Sequence, residues 1–91
     1  MAIIEYLANV LSENIGISSL ASRGLIKLAI KDQLNPYIDF NQLSFLDIEN
    51  SIKHALKERL LKLNISEVNK IIDLLLFELK NNQSLIIINK I

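Results

Sequence analysis

Apolar residues recur every three to four positions along most of this chain, which is the spacing of a helix packed against a core. The same spacing appears in four stretches, separated by short runs rich in Gly, Pro, Asn and Ser. The pattern therefore predicts four helices. They cover residues 2–13, 19–34, 44–63 and a fourth stretch that begins near residue 66.

Local signals set the predicted helix boundaries. Gly16 follows the first helix and can take the left-handed conformation of a C-terminal cap. Ser44 and Asp47 have the Ser-x-x-Asp spacing of a capping box at the start of the third helix. Ser66 is the predicted cap of the fourth helix. Between the second and third helices, the alternating residues 37–40 (YIDF) predict a short extended segment after Pro36.

The C-terminal residues SLIIINKI contain three consecutive isoleucines. Because β-branched residues favour strands, this tail predicts an extended segment. It could pair with residues 37–40, with the tail of a second copy, or with a strand of another protein, and the remaining alternative is an expression-related or disordered end. The overall prediction is an all-α fold, a small four-helix domain with a short C-terminal extended segment, and a single domain over residues 1–91.

Composition excludes several functional classes. Leu and Ile supply 33 of the 91 residues, so a core is easily built. Ten basic and ten acidic residues give a net charge of zero, and such a chain has no overall field to attract nucleic acid or an anionic membrane. Apolar runs are too short to span a bilayer. The absence of Cys excludes disulfides and is compatible with a reducing compartment, so we expect a cytoplasmic protein.

The fourth predicted helix has apolar residues on two faces. Phe77 projects on the side opposite the main apolar stripe, and Leu74 lies on the flank of that stripe. Leu61 likewise lies outside the apolar stripe of the third helix. Either the bundle wraps around the fourth helix, or these residues form an exposed patch that contacts a partner or a second copy. The predicted partner-binding residues are Leu61, Leu74, Phe77, Leu85, Ile86, Ile87 and Ile88.

Arg23, Lys27 and Lys31 follow one another at four-residue steps and form a basic stripe on the second helix. The ordinary interpretation is a solvated edge of a buried helix. The functional interpretation is a contact for an acidic partner or a phosphate group.

The sequence predicts no catalytic residue, metal site or cofactor. His54 is the single histidine, and it has Glu58 one turn later but no third ligand or nucleophile. Arg59 falls on the inward side of the third helix, where either a side chain that extends its charged end to solvent or an ion pair with Glu49 or Asp39 would accommodate its charge.

These observations favour a non-enzymatic protein-interaction or assembly module, which we expect to be a homodimer, with another protein as a further possible partner. The alternative is a small helix-turn-helix or winged-helix DNA-binding regulator, because the fourth helix followed by a strand resembles a recognition helix and a wing. The balanced charge of that helix argues against nucleic acid, and we expect neither a nucleic acid nor a membrane partner.

Overall fold

The computed structural model describes the backbone of residues 1–88 and the side chains of residues 1–86. Within these residues the chain forms five helices and no strand, so the predicted all-α fold is confirmed. The helices are α1 (Ala2–Ile15), α2 (Ser19–Gln33), α3 (residues 45–62), α4 (Val68–Asn81) and α5 (Ser84–Ile88), and a 3₁₀ turn lies at Phe40–Gln42.

The first four helices form a closed ring around one core. α1 packs between α2 and α4, α2 packs against the middle of α3, and α3 also contacts α4. The short α5 packs against α1. Aliphatic side chains fill the centre, and those fully buried are Ile3, Ile4, Leu7, Leu11, Ile26, Ile30, Leu43, Ile48, Ile52, Leu56, Leu60 and Leu75. No helix within residues 1–88 is both long enough and apolar enough to cross a bilayer.

Two of the predicted helix caps are confirmed. Gly16 has a φ of 73° and donates its backbone N–H to the carbonyl oxygen of Ser12 at 3.0 Å, which ends α1. Ser44 begins α3 with a complete capping box. Its hydroxyl accepts the N–H of Asp47 at 3.1 Å, and the Asp47 carboxylate accepts the N–H of Ser44 at 3.0 Å.

Substituting alanine for Gly16 and for Gly24 should change the free energy of unfolding in opposite directions. A Cβ would meet no atom within 4 Å at either Gly16 or Gly24, so only backbone conformation decides the outcome. We expect Gly16→Ala to lower the free energy of unfolding by about 1 kcal/mol, because the left-handed conformation is strained for residues with a Cβ. Gly24 lies inside α2, where alanine should add about 0.8 kcal/mol. Urea denaturation of both variants tests this prediction, and a change in stability in the same direction for both would contradict it.

The middle of α3 is wider than an ordinary α-helix. Ser51–Leu56 is π-helical, between α-helical segments at Phe45–Asn50 and Lys57–Lys62. The buried hydroxyl of Ser51 donates to the carbonyl oxygen of Asp47 at 2.7 Å, a side-chain bond that competes with the regular backbone pattern and is known to bend helices. The wide segment supplies Ile52 and Leu56 to the core.

The turn between α3 and α4 differs from its prediction. Asn64 has a φ of 58° and ends α3 in a Schellman motif, in which the N–H of Ile65 reaches the carbonyl oxygen of Leu60 at 3.2 Å. The predicted cap at Ser66 is wrong. Glu67 occupies the N-cap position, with a left-handed φ of 56° and no capping hydrogen bond from its side chain.

The predicted extended C-terminal tail is wrong where the structure describes it, and the predicted extended segment at residues 37–40 is confirmed only in part, since Asp39 is extended but Phe40 is not. The C-terminal tail is helical at Ser84–Ile88, because Ile86 is buried in the core and Leu85 packs against it. Tertiary burial has overridden the strand preference of the isoleucines. Phe40, at the end of the YIDF stretch, begins a 3₁₀ turn instead of continuing a strand. Residues 89–91 of the predicted tail lie outside the described residues.

Candidate functional site

The side of α4 that faces away from the core exposes an aromatic ring. The buried residues of this helix are Val68, Ile71, Ile72, Leu75 and Leu79. Phe77 follows Leu75 by two residues, a rotation of about 200°, so its side chain projects to the opposite side. It is 61% exposed. Leu74 lies one turn earlier, is half-buried and is not packed against the core cluster.

Polar side chains surround these two apolar residues. Lys70, Asp73, Lys80 and Asn81 are all exposed and share the same side of the helix by their spacing. Lys70 pairs with Glu67 at 3.1 Å. We define the α4 outer face as Lys70, Asp73, Leu74, Phe77, Lys80 and Asn81. It is an apolar centre with charged ends, which is the usual arrangement of a small protein contact.

Leu61 does not belong to the α4 outer face. It is 53% exposed near the end of α3. It lines a groove of about 580 Å³ together with Ile65, Val68 and Lys70, at the beginning of α4. Because Phe77 follows Lys70 by seven residues, it lies about 10 Å further along the helix axis. The predicted grouping of Leu61 with Phe77 therefore spans two different parts of the surface, which meet at Lys70.

The C-terminal members of the predicted patch are partly covered by their own chain. Ile86 is 4% exposed and is part of the core, and Leu85 packs against that core. Ile87 and Ile88 continue the helix, but their side chains lie outside the described residues. The need for a partner to cover this tail is therefore smaller than its sequence indicates.

The predicted basic stripe on α2 interacts with the protein itself. Arg23 forms an ion pair with Glu5 of α1, with 3.5 Å between the guanidinium nitrogen and the carboxylate oxygen. The ammonium groups of Lys27 and Lys31 lie 5.6 and 5.9 Å from the centre of the Phe40 ring, within the range of cation–π attraction. These contacts hold the loop before α3 against α2 and favour the structural interpretation of the stripe.

A polar groove of about 390 Å³ lies between α2 and the wide segment of α3, and His54 is one of its lining residues. At its edge Arg59 donates to Asp32 at 2.6 Å, so the predicted partners Glu49 and Asp39 are wrong. This hydrogen bond holds the pKa of the Asp32 carboxyl below its usual value and raises the pKa of Arg59. No group of three or more potential metal ligands occurs among the described residues.

One polar contact between α1 and α4 was not identified from the sequence. The phenol of Tyr6 donates a hydrogen bond to the carboxylate of Glu78. This bond, together with burial, raises the pKa of Tyr6. Glu78 is half-buried. It lies on the flank that meets α1, about 120° from the direction of Ile72, and its partner could not be identified without the packing of the two helices.

Comparison with models of protein families, with curated proteins and with solved structures finds no match for this chain. The arrangement of the side chains therefore carries the functional argument. Its clearest feature is an exposed aromatic residue on a helix whose opposite side is already fully packed.

Proposed function

We propose that this protein is a non-enzymatic interaction module that self-associates through the α4 outer face. The exposure of Phe77 is the observation that carries this proposal. Its neighbour Leu75 already fills the core from the opposite side of the helix, so Phe77 has no role in internal packing. Burying a phenylalanine side chain is worth about 1.5–3 kcal/mol, which is a gain that association can provide and the isolated chain cannot.

The size of this surface indicates weak association. α4 has 14 residues and is therefore about 21 Å long. One helix face of that length buries less than the roughly 1,600 Å² of a standard stable interface, and contacts of the smaller class are transient. We therefore expect a dimer with a dissociation constant on the order of 10 μM, and the exposed ring as its principal contact.

Sedimentation equilibrium tests the proposal. The wild-type protein should be mostly dimeric at about 100 μM, and Phe77→Asp should raise the dissociation constant at least tenfold, because a charge would replace the central apolar contact. Leu46→Asp is the matched control. Leu46 is 62% exposed and lies at the start of α3, a different helix from the one that contains Phe77.

Circular dichroism spectra should be the same for the wild type and both variants. A wild-type protein that remains monomeric at about 100 μM contradicts the proposal, since a dimer of 10 μM affinity would be mostly paired there. Equal weakening by both substitutions would also contradict it, because it would place the contact elsewhere.

The DNA-binding alternative receives less support. A winged helix requires a strand after its recognition helix, and the chain instead forms a helix at Ser84–Ile88. The α4 outer face also contains Asp73, and Glu67 neutralises Lys70. A helix that enters the major groove needs a basic excess to offset the phosphates.

The absence of Cys from the sequence supports placing the proposed module in a reducing compartment such as the cytoplasm.

A further inference from the structure

Two charges on the α4 outer face lack a partner within the described chain. Asp73 and Lys80 are both exposed, and neither takes part in an ion pair among the residues that the structure describes. They are seven residues apart, about 10 Å along the helix, which is too far to pair with each other. Phe77 lies between them.

The positions of these charges are nearly symmetric about Phe77. Asp73 precedes it by four residues, or about 6 Å along the axis, and Lys80 follows it by three residues, or about 4.5 Å. Counted at 100° per residue, both are rotated in the same direction from Phe77, by about 40° and about 60°. The two opposite charges therefore lie along the same edge of the helix.

We infer that two copies of α4 pair in antiparallel orientation across a two-fold axis beside Phe77. In this arrangement Asp73 of each copy faces Lys80 of the partner subunit. A two-fold axis perpendicular to both helices reverses their direction but keeps the same edges in contact. Asp73 then meets the partner's Lys80 with a mismatch of about 1.5 Å along the axis, one residue of rise. This inference rests on the proposed self-association.

A parallel pairing does not satisfy these charges. A two-fold axis along the helices would place opposite edges together, so that Asp73 would face Leu74 of the partner subunit. Lys80 would face Asn81 of the partner subunit. Antiparallel pairing instead forms two ion pairs, one on each side of a central contact between the two Phe77 rings. Aromatic rings favour such a contact when they are offset.

The ion pairs define orientation more than they add affinity. Exposed pairs gain little because water screens them, whereas like charges placed in direct opposition are clearly unfavourable. Reversing one charge should therefore weaken the dimer more than the original pairs strengthen it. Reversing both charges should restore complementarity, since each edge again contains one cation and one anion.

Sedimentation equilibrium at about 50 mM salt, where exposed charges are weakly screened, provides the test. Asp73→Lys and Lys80→Asp should each raise the dissociation constant about tenfold. The double variant should return to within about threefold of the wild type. An equimolar mixture of the two single variants should associate as a heterodimer more tightly than either variant alone, because both edges then pair opposite charges.

The outcomes separate this inference from the proposed function. If the wild type dimerises through Phe77 but the double variant associates no better than the single variants, the antiparallel geometry is wrong and the proposed function stands. If the wild type remains monomeric at about 100 μM, both are wrong. Failure of the mixed single variants to form a heterodimer would also overturn the antiparallel pairing.

Discussion

Leu75→Ala should lower the free energy of unfolding by about 3 kcal/mol, whereas Phe77→Ala should change it by less than about 0.5 kcal/mol. Both residues lie on α4 and are two positions apart. Leu75 is fully buried, so its truncation removes apolar burial and leaves a cavity that the packed core cannot close. Phe77 loses contact mainly with water, because 61% of it is exposed.

Because the protein is small, the loss expected for Leu75→Ala is large relative to its total stability. A domain of 91 residues has a typical stability of about 5–13 kcal/mol, so Leu75→Ala would remove a substantial part of it. The melting temperature should fall by roughly 15 °C, given about 4–8 °C per kcal/mol for a domain of this size.

Thermal and urea denaturation near 1 μM protein are suitable measurements, since a dimer with a 10 μM dissociation constant is mostly dissociated there and cannot contribute stability. A loss for Phe77→Ala as large as that for Leu75→Ala would show that the phenylalanine belongs to the core.

The helical rotation that places Leu75 and Phe77 on opposite sides of α4 also explains which features of the fold the sequence predicts well. A rotation of 100° per residue places the apolar stripe of α4 on one side and Phe77 on the other. The predicted stripe comprises Val68, Ile71, Ile72, Leu75, Leu76 and Leu79, of which all but the half-buried Leu76 are buried, whereas Phe77 is exposed. Helix ends were also predictable where the cap is a local interaction. Gly16 and the Ser44–Asp47 capping box depend on residues within one turn of each other, so no tertiary information was needed.

Predictions failed where distant parts of the chain decide the conformation. Three consecutive isoleucines favour a strand in isolation, but burial of Ile86 against the core determines the helix at the C terminus. The partner of Arg59 lies on α2 and could not be identified from the sequence of α3. Regular helical spacing from Leu56 would place Leu63 on the inward side, but Leu63 is 54% exposed. The π-helical segment at Ser51–Leu56 changes the rotation per residue, and residue 63 already lies in the Schellman turn.

The sequence predicts only part of the candidate surface, because helical spacing does not show how two helices pack. Leu74 and Phe77 share one helix, so their proximity follows from helical spacing alone. Leu61 belongs to a different helix, and its position relative to Phe77 depends on how α3 and α4 pack. The complementary positions of Asp73 and Lys80 can be read from the sequence, but their lack of internal partners is evident only once every ion pair of the described residues is known.

Ser22→Ala should raise the free energy of unfolding by about 1.5 kcal/mol. Ser22 lies on the core face of α2, is fully buried, and its hydroxyl has no hydrogen-bond partner in the described chain. A buried hydroxyl without a partner costs about 1–3 kcal/mol, because it gives up its bonds with water and gains none in return. Alanine removes that hydroxyl and also has a higher helix propensity than serine, by a few tenths of a kcal/mol.

Ser51→Ala provides the matched control for this prediction. Ser51 is equally buried in a helix, but its hydroxyl donates to the Asp47 carbonyl oxygen at 2.7 Å. Removing a satisfied hydrogen bond should lower the free energy of unfolding by about 0.5–1 kcal/mol. The loss stays small because the backbone N–H of Ser51 also bonds that carbonyl oxygen, which keeps a partner in the variant.

The two serine variants should therefore shift urea midpoints in opposite directions at unchanged slope. A destabilised Ser22→Ala protein would contradict the argument, because it would mean that the Ser22 hydroxyl has a partner in solution. In that case a buried water molecule is the first group to look for, since water commonly bonds otherwise unsatisfied polar atoms inside proteins. Stabilisation of both variants would mean that helix propensity, and not the hydrogen bond, controls the response at these positions.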